Sequence, residues 1–134
     1  MIERKDYINR LIVFKDKELI KVITGIRRCG KSTLFKLFQE YLLNNDVDKN
    51  QIININFEDI EYEDLTDYKT LYKKITSMLL PNKKNYIFLD EIQHVKDFEK
   101  AVDSLFIKKN VDLYITGSNA YFLSGELATL LAGR

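Results

Sequence analysis

The sequence has very few of the residues that mark secreted or membrane-embedded proteins. Among its 134 residues are one cysteine, one proline, one histidine and no tryptophan. A single cysteine excludes a disulfide within the chain, so the composition does not point to secretion. The apolar runs fall far short of the roughly 18 residues of a membrane-spanning helix, and Met1 to Asp6 lack the apolar core of a signal peptide. We expect a cytoplasmic protein without a membrane segment.

An excess of charge of one sign is also absent, since 21 basic residues nearly balance 20 acidic ones and leave a net charge of +1. This balance argues against a dedicated nucleic-acid-binding arm or a polybasic membrane anchor. Hydrophobic residues make up 46% and charged residues 31% of the chain, as is typical of a globular protein. The length fits one compact domain over residues 1–134.

Short apolar runs alternate with longer amphipathic stretches along the chain. Ile53 and Ile55 alternate with asparagines, which predicts a strand covered on one side, whereas the unbroken run Tyr86–Leu89 predicts a strand buried on both faces. Strands separated by helices imply right-handed crossovers and a parallel sheet, so the predicted fold class is α/β. The predicted helices span 5–14, 31–44, 67–80, 97–109 and 120–132, and the predicted strands span 19–23, 51–57, 86–89 and 111–116.

The loop after the first predicted strand has the pattern of a phosphate-binding loop, Gly-x-x-x-x-Gly-Lys-Ser. Its glycines let backbone N–H groups turn toward phosphate oxygens, and the helix that follows adds unpaired donors and partial positive charge. Lys31 is predicted to reach the β- and γ-phosphates, Ser32 to ligate Mg²⁺ and Thr33 to cover the α-phosphate side. A chance glycine-rich turn is the alternative, which the position between a strand and a helix disfavours. The predicted nucleotide-binding residues are Gly25, Ile26, Arg27, Arg28, Cys29, Gly30, Lys31, Ser32 and Thr33.

Two adjacent acids, Asp90 and Glu91, follow the predicted strand that is buried on both faces. Asp90, at the end of the strand, is predicted to hold the Mg²⁺ shell. Glu91 points elsewhere and is predicted to polarise the water that attacks the γ-phosphate. Two solvated carboxylates in a turn are the alternative, and the phosphate-binding loop upstream argues against it. An adjacent Asp-Glu pair also favours a hydrolase over a small-molecule kinase.

Further polar residues follow the last predicted strand. Ligands of open α/β sheets lie beyond the carboxyl ends of the strands, so Ser118 or Asn119 is a candidate to touch the γ-phosphate or the attacking water. A cap on the following helix is an equally good interpretation of this pair. Gln93 and His94 are weaker candidates for sensing the nucleotide. The acidic stretch from Glu58 to Asp67 is interpreted as a solvated loop in preference to a metal or partner site.

Four segments of the chain together resemble the predicted AAA-like P-loop ATPases of bacteria and archaea. These segments are Ile20–Thr33, Leu89–Gln93, Thr116–Asn119 and Glu126–Arg134. The resemblance implies a three-layer P-loop NTPase sandwich with a mostly parallel sheet in the order 5-1-4-3-2, which places the second strand at an edge. It also implies an ATP- and Mg²⁺-dependent ATPase domain followed by a larger C-terminal domain.

The sequence stops at Arg134, where the resemblance places the start of the fifth strand. We therefore expect the N-terminal part of a longer protein, with the first strand left as an open edge that favours pairing with a second copy of the chain. Family members carry a Gly-Arg at this position. Arg134 is a candidate to supply charge to the transition state, in cis or to a neighbouring subunit. A cap on the last helix is the alternative.

The sequence favours a Mg²⁺-dependent ATPase that couples hydrolysis to the C-terminal domain or to a partner. A nucleotide-binding switch without significant hydrolysis is the first alternative, and Glu91 argues against it. A GTPase is disfavoured because no Asn-Lys-x-Asp motif follows the fourth predicted strand. A nucleic-acid-associated module is the last alternative, and its candidate phosphate contacts are Lys83, Lys84, Lys108 and Lys109.

Overall fold

The computed structural model describes residues 4–24 and 30–118. The described residues form four α-helices, α1 Arg4–Phe14, α2 Lys31–Leu43, α3 Tyr68–Met78 and α4 Phe98–Phe106, and four strands, β1 Lys21–Ile23, β2 Ile52–Asn56, β3 Asn85–Asp90 and β4 Val111–Thr116. The predicted helix over 120–132 lies outside the described residues. None of the helices in the described ranges has the length and apolar character to cross a membrane.

The four strands form one parallel sheet in the order β1-β4-β3-β2. This order confirms the predicted α/β class and the predicted arrangement of strands one to four. β2 lies at an edge, with Ile53 and Ile55 buried and Asn54 exposed. The Asn54 side-chain oxygen accepts a hydrogen bond from Gln39 Nε2 of α2 at 2.9 Å. All six residues of β3 are buried, as the unbroken apolar run predicts.

Helices cover both faces of the sheet, because successive side chains of a strand point to opposite sides. Ile87 and Leu89 of β3 belong to a core with α3 and α4. Tyr86 and Phe88 belong to a second core with α1 and α2. In this second core the rings of Phe88 and Tyr114 stack at 4.7 Å between centroids. The two cores make the domain a three-layer sandwich.

Local hydrogen bonds explain why some elements are shorter than predicted. α3 begins at Tyr68 because the Asp67 carboxylate accepts the backbone N–H groups of Lys69 and Thr70, each at 2.9 Å. The helix ends before Leu79, whose backbone is extended. Leu80 follows, and a residue directly before a proline disfavours helical geometry. β1 begins at Lys21 because the preceding segment forms a turn, in which the Leu19 N–H donates to the Lys17 carbonyl at 2.7 Å.

A buried ion pair joins the amino ends of β1 and β4. Lys21 Nζ contacts Asp112 Oδ1, and the two side chains are 0% and 1% exposed. The other Asp112 oxygen accepts the backbone N–H of Asp16 at 2.9 Å and the hydroxyl of Tyr114 at 2.7 Å. Burial lowers the pKa of Lys21, and the charge of Asp112 opposes this shift. The pair fixes the turn between α1 and β1 to the sheet.

We predict that Lys21→Met destabilises the domain by about 3–5 kcal/mol, because it leaves the buried Asp112 carboxylate without a counter-ion. The free energy of unfolding is to be measured by urea denaturation. Lys83→Met is the matched control, since Lys83 and Asp48 form an exposed pair at 2.8 Å and exposed pairs contribute about 1 kcal/mol or less. Equal effects of the two substitutions would contradict the structural role of the buried pair.

Candidate functional site

The start of α2 has the geometry that a phosphate-binding helix needs. Gly30 precedes the helix with a φ of +75°, which is the left-handed region where glycine is favoured. A Cβ at this position would approach Thr33 Oγ1 to 3.4 Å. Among residues 4–24 and 30–118 no side chain caps the N-terminus of this helix, where the first backbone N–H groups can bind an anion.

The first turn of α2 faces the two acids at the end of β3. Lys31 Nζ lies 3.2 Å from Glu91 Oε2, and the two side chains are 15% and 18% exposed. Ser32 Oγ donates a hydrogen bond to Asp90 Oδ2. The structure therefore brings together the four residues for which the sequence predicts the main chemical roles.

Asp90 is held from two sides. Asp90 is only 2% exposed. Its Oδ2 atom accepts the hydrogen bond from Ser32 Oγ. Thr116 Oγ1 of β4 donates to the other oxygen, Asp90 Oδ1, at 2.5 Å. A carboxylate with two hydroxyl donors keeps a fixed orientation.

Glu91 has an unusual backbone conformation, with φ 61° and ψ 52° in the left-handed region. Its backbone N–H donates to Thr116 Oγ1 at 2.8 Å. Its side chain accepts a hydrogen bond from Gln93 Nε2 at 2.7 Å, in addition to the contact with Lys31. Gln93 Oε1 is buried and has no hydrogen-bond partner within the described residues. A ligand or a water would satisfy this acceptor.

Other predicted residues lie at the margin of the site or outside the described residues. Thr33 and Ser118 are exposed. His94 Nε2 lies 3.9 Å from Glu58 Oε2, and the two side chains are 51% and 63% exposed. Asp59 and Asp67 of the acidic stretch cap local helices. The predicted site residues that lie outside the described ranges are Gly25, Ile26, Arg27, Arg28, Cys29, Asn119 and Arg134.

Thr116 is the residue that the sequence argument missed. The candidates were the residues after it, Ser118 and Asn119, because they follow the strand directly. Thr116 is the last residue of β4 and is fully buried. Its polar side chain gains significance only from the pairing of β4 with β3, which the sequence alone does not give.

The donor set fits a magnesium ion that is bound together with phosphates. Ser32 and Asp90 supply the hard oxygen donors that Mg²⁺ prefers. Within residues 4–24 and 30–118 no group of three or more His, Cys, Asp or Glu side chains could hold a metal ion. In nucleotide sites, phosphate and water supply the remaining ligands of Mg²⁺.

The sequence over residues 17–134 matches the family model described as AAA domain. The chain belongs to this AAA family. The family is built on the nucleotide-binding P-loop fold.

Relatives of this AAA domain occur in bacteria and archaea. An uncharacterized protein of Haemophilus influenzae is 44% identical over 137 residues, which cover 100% of this chain and 34% of that protein. Two uncharacterized proteins of Methanocaldococcus jannaschii are 38% and 27% identical, over 86% and 87% of this chain and 24% of each relative. The AAA domain thus spans between a quarter and a third of the length of these relatives.

A solved structure shares the fold. A chain in the structure of Drosophila ORC bound to AT-rich DNA and Cdc6 superposes with a TM-score of 0.59, over 92% of this chain and 49% of that chain. The sequence identity is 12%, so the comparison shows similarity of fold.

Proposed function

We propose that this AAA domain binds ATP with Mg²⁺ and hydrolyses it, and that turnover is coupled to a C-terminal domain or to a partner. One observation carries the proposal. The first turn of α2 places Lys31 and Ser32 directly against Glu91 and Asp90 at the end of β3. A cation and a hydroxyl beside two carboxylates, at an uncapped helix N-terminus, form a site for a phosphate chain and its metal ion.

Lys31 binds the β- and γ-phosphates in this proposal. Its ammonium group lies at the N-terminus of α2, where it pairs with Glu91. The phosphates carry more negative charge than the single carboxylate, so they compete for this cation. Binding of ATP then removes the counter-ion from Glu91.

Ser32 and Asp90 would hold the magnesium ion, which would supply positive charge to the phosphate oxygens. The hydrogen bond between their oxygens shows that both donors reach the same point. Thr116 holds the orientation of the Asp90 carboxylate.

Glu91 is the proposed general base. Once Lys31 is bound to phosphate, Glu91 Oε2 is available to accept a proton from a water that attacks the γ-phosphorus. The Gln93 amide continues to hold the other oxygen. Ser118, Asn119 and Arg134 remain candidates for contacts to the γ-phosphate, with Arg134 supplying charge to the transition state.

The test is a titration of the protein with ATP, GTP and a non-hydrolysable ATP analogue, with and without Mg²⁺. We expect ATP with Mg²⁺ to raise the melting temperature, since ligand at 100 times its Kd stabilises a protein by about 2.7 kcal/mol. Asp90→Asn is expected to lose the Mg²⁺-dependent part of this shift. Asp64→Asn, in the exposed acidic stretch, is the control that should retain it.

Three results of this titration have different meanings. A shift with ATP together with phosphate release supports the ATPase. A shift without phosphate release supports the nucleotide-binding switch instead. Unchanged melting temperatures with every nucleotide would contradict both functions.

A further inference from the structure

Thr116 makes two contacts that connect the acids of the site. It ends β4 between β1 and β3, with Ile23 as its register partner in β1. Its hydroxyl lies 2.5 Å from Asp90 Oδ1 and 2.8 Å from the backbone nitrogen of Glu91. The residue is 0% exposed, so water does not replace either contact.

Chemistry determines the direction of both hydrogen bonds. A carboxylate accepts hydrogen bonds and a backbone N–H donates them. The single hydrogen of the Thr116 hydroxyl therefore goes to Asp90, and a lone pair of the same oxygen accepts the N–H of Glu91. One oxygen atom thus sets the orientation of the Asp90 carboxylate and the position of the Glu91 backbone.

The Glu91 backbone needs this support. Its φ of 61° is in a region that residues with a Cβ avoid. Glu91 lies between β3 and the turn Ile92–His94, where its carbonyl accepts the His94 N–H at 3.4 Å. The hydrogen bond to Thr116 is the contact that fixes the Glu91 N–H to the neighbouring strand.

We propose that Thr116 is a positioning residue of this site, one that aims Asp90 at the metal ion and Glu91 at the attacking water through a single hydroxyl. The proposal rests on the proposed ATPase function. In this proposal Thr116 acts through its hydrogen bonds to Asp90 and Glu91. Its role depends on the hydroxyl and not on the volume of the side chain, which separates it from a residue that only fills the core.

Two substitutions distinguish the effect of the Thr116 hydroxyl group from the effect of the side-chain volume. Thr116→Val keeps the shape and removes the hydroxyl, whereas Thr116→Ser keeps the hydroxyl and removes a methyl group. Thr76→Val is the matched control, because the Thr76 hydroxyl donates to carbonyls of its own helix, those of Tyr72 and Lys73.

The first measurement is hydrogen exchange of the Glu91 amide by NMR in the protein without nucleotide. We expect protection in the parent and in Thr116→Ser, and exchange at least about tenfold faster in Thr116→Val. The second measurement is steady-state ATP hydrolysis at several Mg²⁺ concentrations. Thr116→Val is expected to lower kcat or raise the Mg²⁺ requirement by about 10- to 100-fold, with Thr116→Ser and Thr76→Val close to the parent.

The two measurements distinguish failure of this proposal from failure of the proposed function. Fast exchange of the Glu91 amide in the parent, or turnover by folded Thr116→Val equal to that of the parent, overturns the role of Thr116. Equal losses of ATP hydrolysis in Thr116→Val and Thr116→Ser also overturn it, because the hydroxyl group that Thr116→Ser retains would then make no difference. A parent that protects the amide through Thr116 but hydrolyses no ATP refutes the ATPase and supports the positioning contact.

Discussion

Glu91→Gln is expected to bind ATP at least as tightly as the parent and to hydrolyse it about 10²- to 10⁴-fold more slowly, which is the usual contribution of a general base. The amide keeps the shape of the side chain and does not accept a proton from water. The substitution also removes the carboxylate that pairs with Lys31, so ATP no longer competes with this carboxylate for the Lys31 ammonium group. Phosphate release measures turnover, and calorimetry with the non-hydrolysable analogue measures affinity.

Glu63→Gln is the control for this prediction, because Glu63 is exposed in the acidic stretch after β2. It removes the same charge from the chain and should leave turnover unchanged. Undiminished phosphate release by the Glu91→Gln protein would remove Glu91 from the mechanism. A fall in ATP affinity without a fall in kcat would place Glu91 in binding instead.

Lys31→Ala is expected to weaken ATP binding at least about tenfold, which corresponds to about 1.4 kcal/mol. The substitution removes the cation at the start of α2 and leaves Glu91 without its partner at 3.2 Å. The uncompensated carboxylate then repels the phosphates, so the loss has two parts. Calorimetry with ATP and Mg²⁺ measures the total effect.

A double variant separates these two parts. Lys31→Ala combined with Glu91→Gln removes the cation and the repelling charge, so it should bind ATP more tightly than Lys31→Ala alone. Lys36→Ala is the control, because Lys36 is exposed in the same helix. Equal affinity of Lys31→Ala and the parent would exclude nucleotide binding by this loop.

The parts of the structure that follow from local patterns could be predicted from the sequence. Alternating apolar and polar residues predicted that β2 is a strand covered on one side, and the unbroken run before Asp90 predicted the buried strand β3. The phosphate-binding pattern placed Lys31 and Ser32 at the start of a helix, where the structure has them. These features depend on residues that are close together in the chain, so the sequence alone indicates them.

The parts that depend on distant residues could not be predicted. Lys21 reads as one polar residue in an apolar strand, and its burial is understandable only with Asp112, which lies 91 positions away. Thr116 contacts Asp90 across 26 positions, and its hydroxyl has no role until β3 and β4 are paired. The sheet order was available from the family resemblance and not from the periodicity of the chain.

The left-handed backbone of Glu91 implies a conflict between stability and activity. Among the described residues, the other positions with positive φ outside glycine are Asp16, Asp46 and Asp97, whose short polar side chains tolerate this conformation better than glutamate does. Selection for heat resistance alone would therefore favour glycine or asparagine at position 91, since local strain at functional sites lowers stability. More stable forms obtained that way would be expected to lose the carboxylate, so thermostabilisation of this domain has to exclude that position from variation.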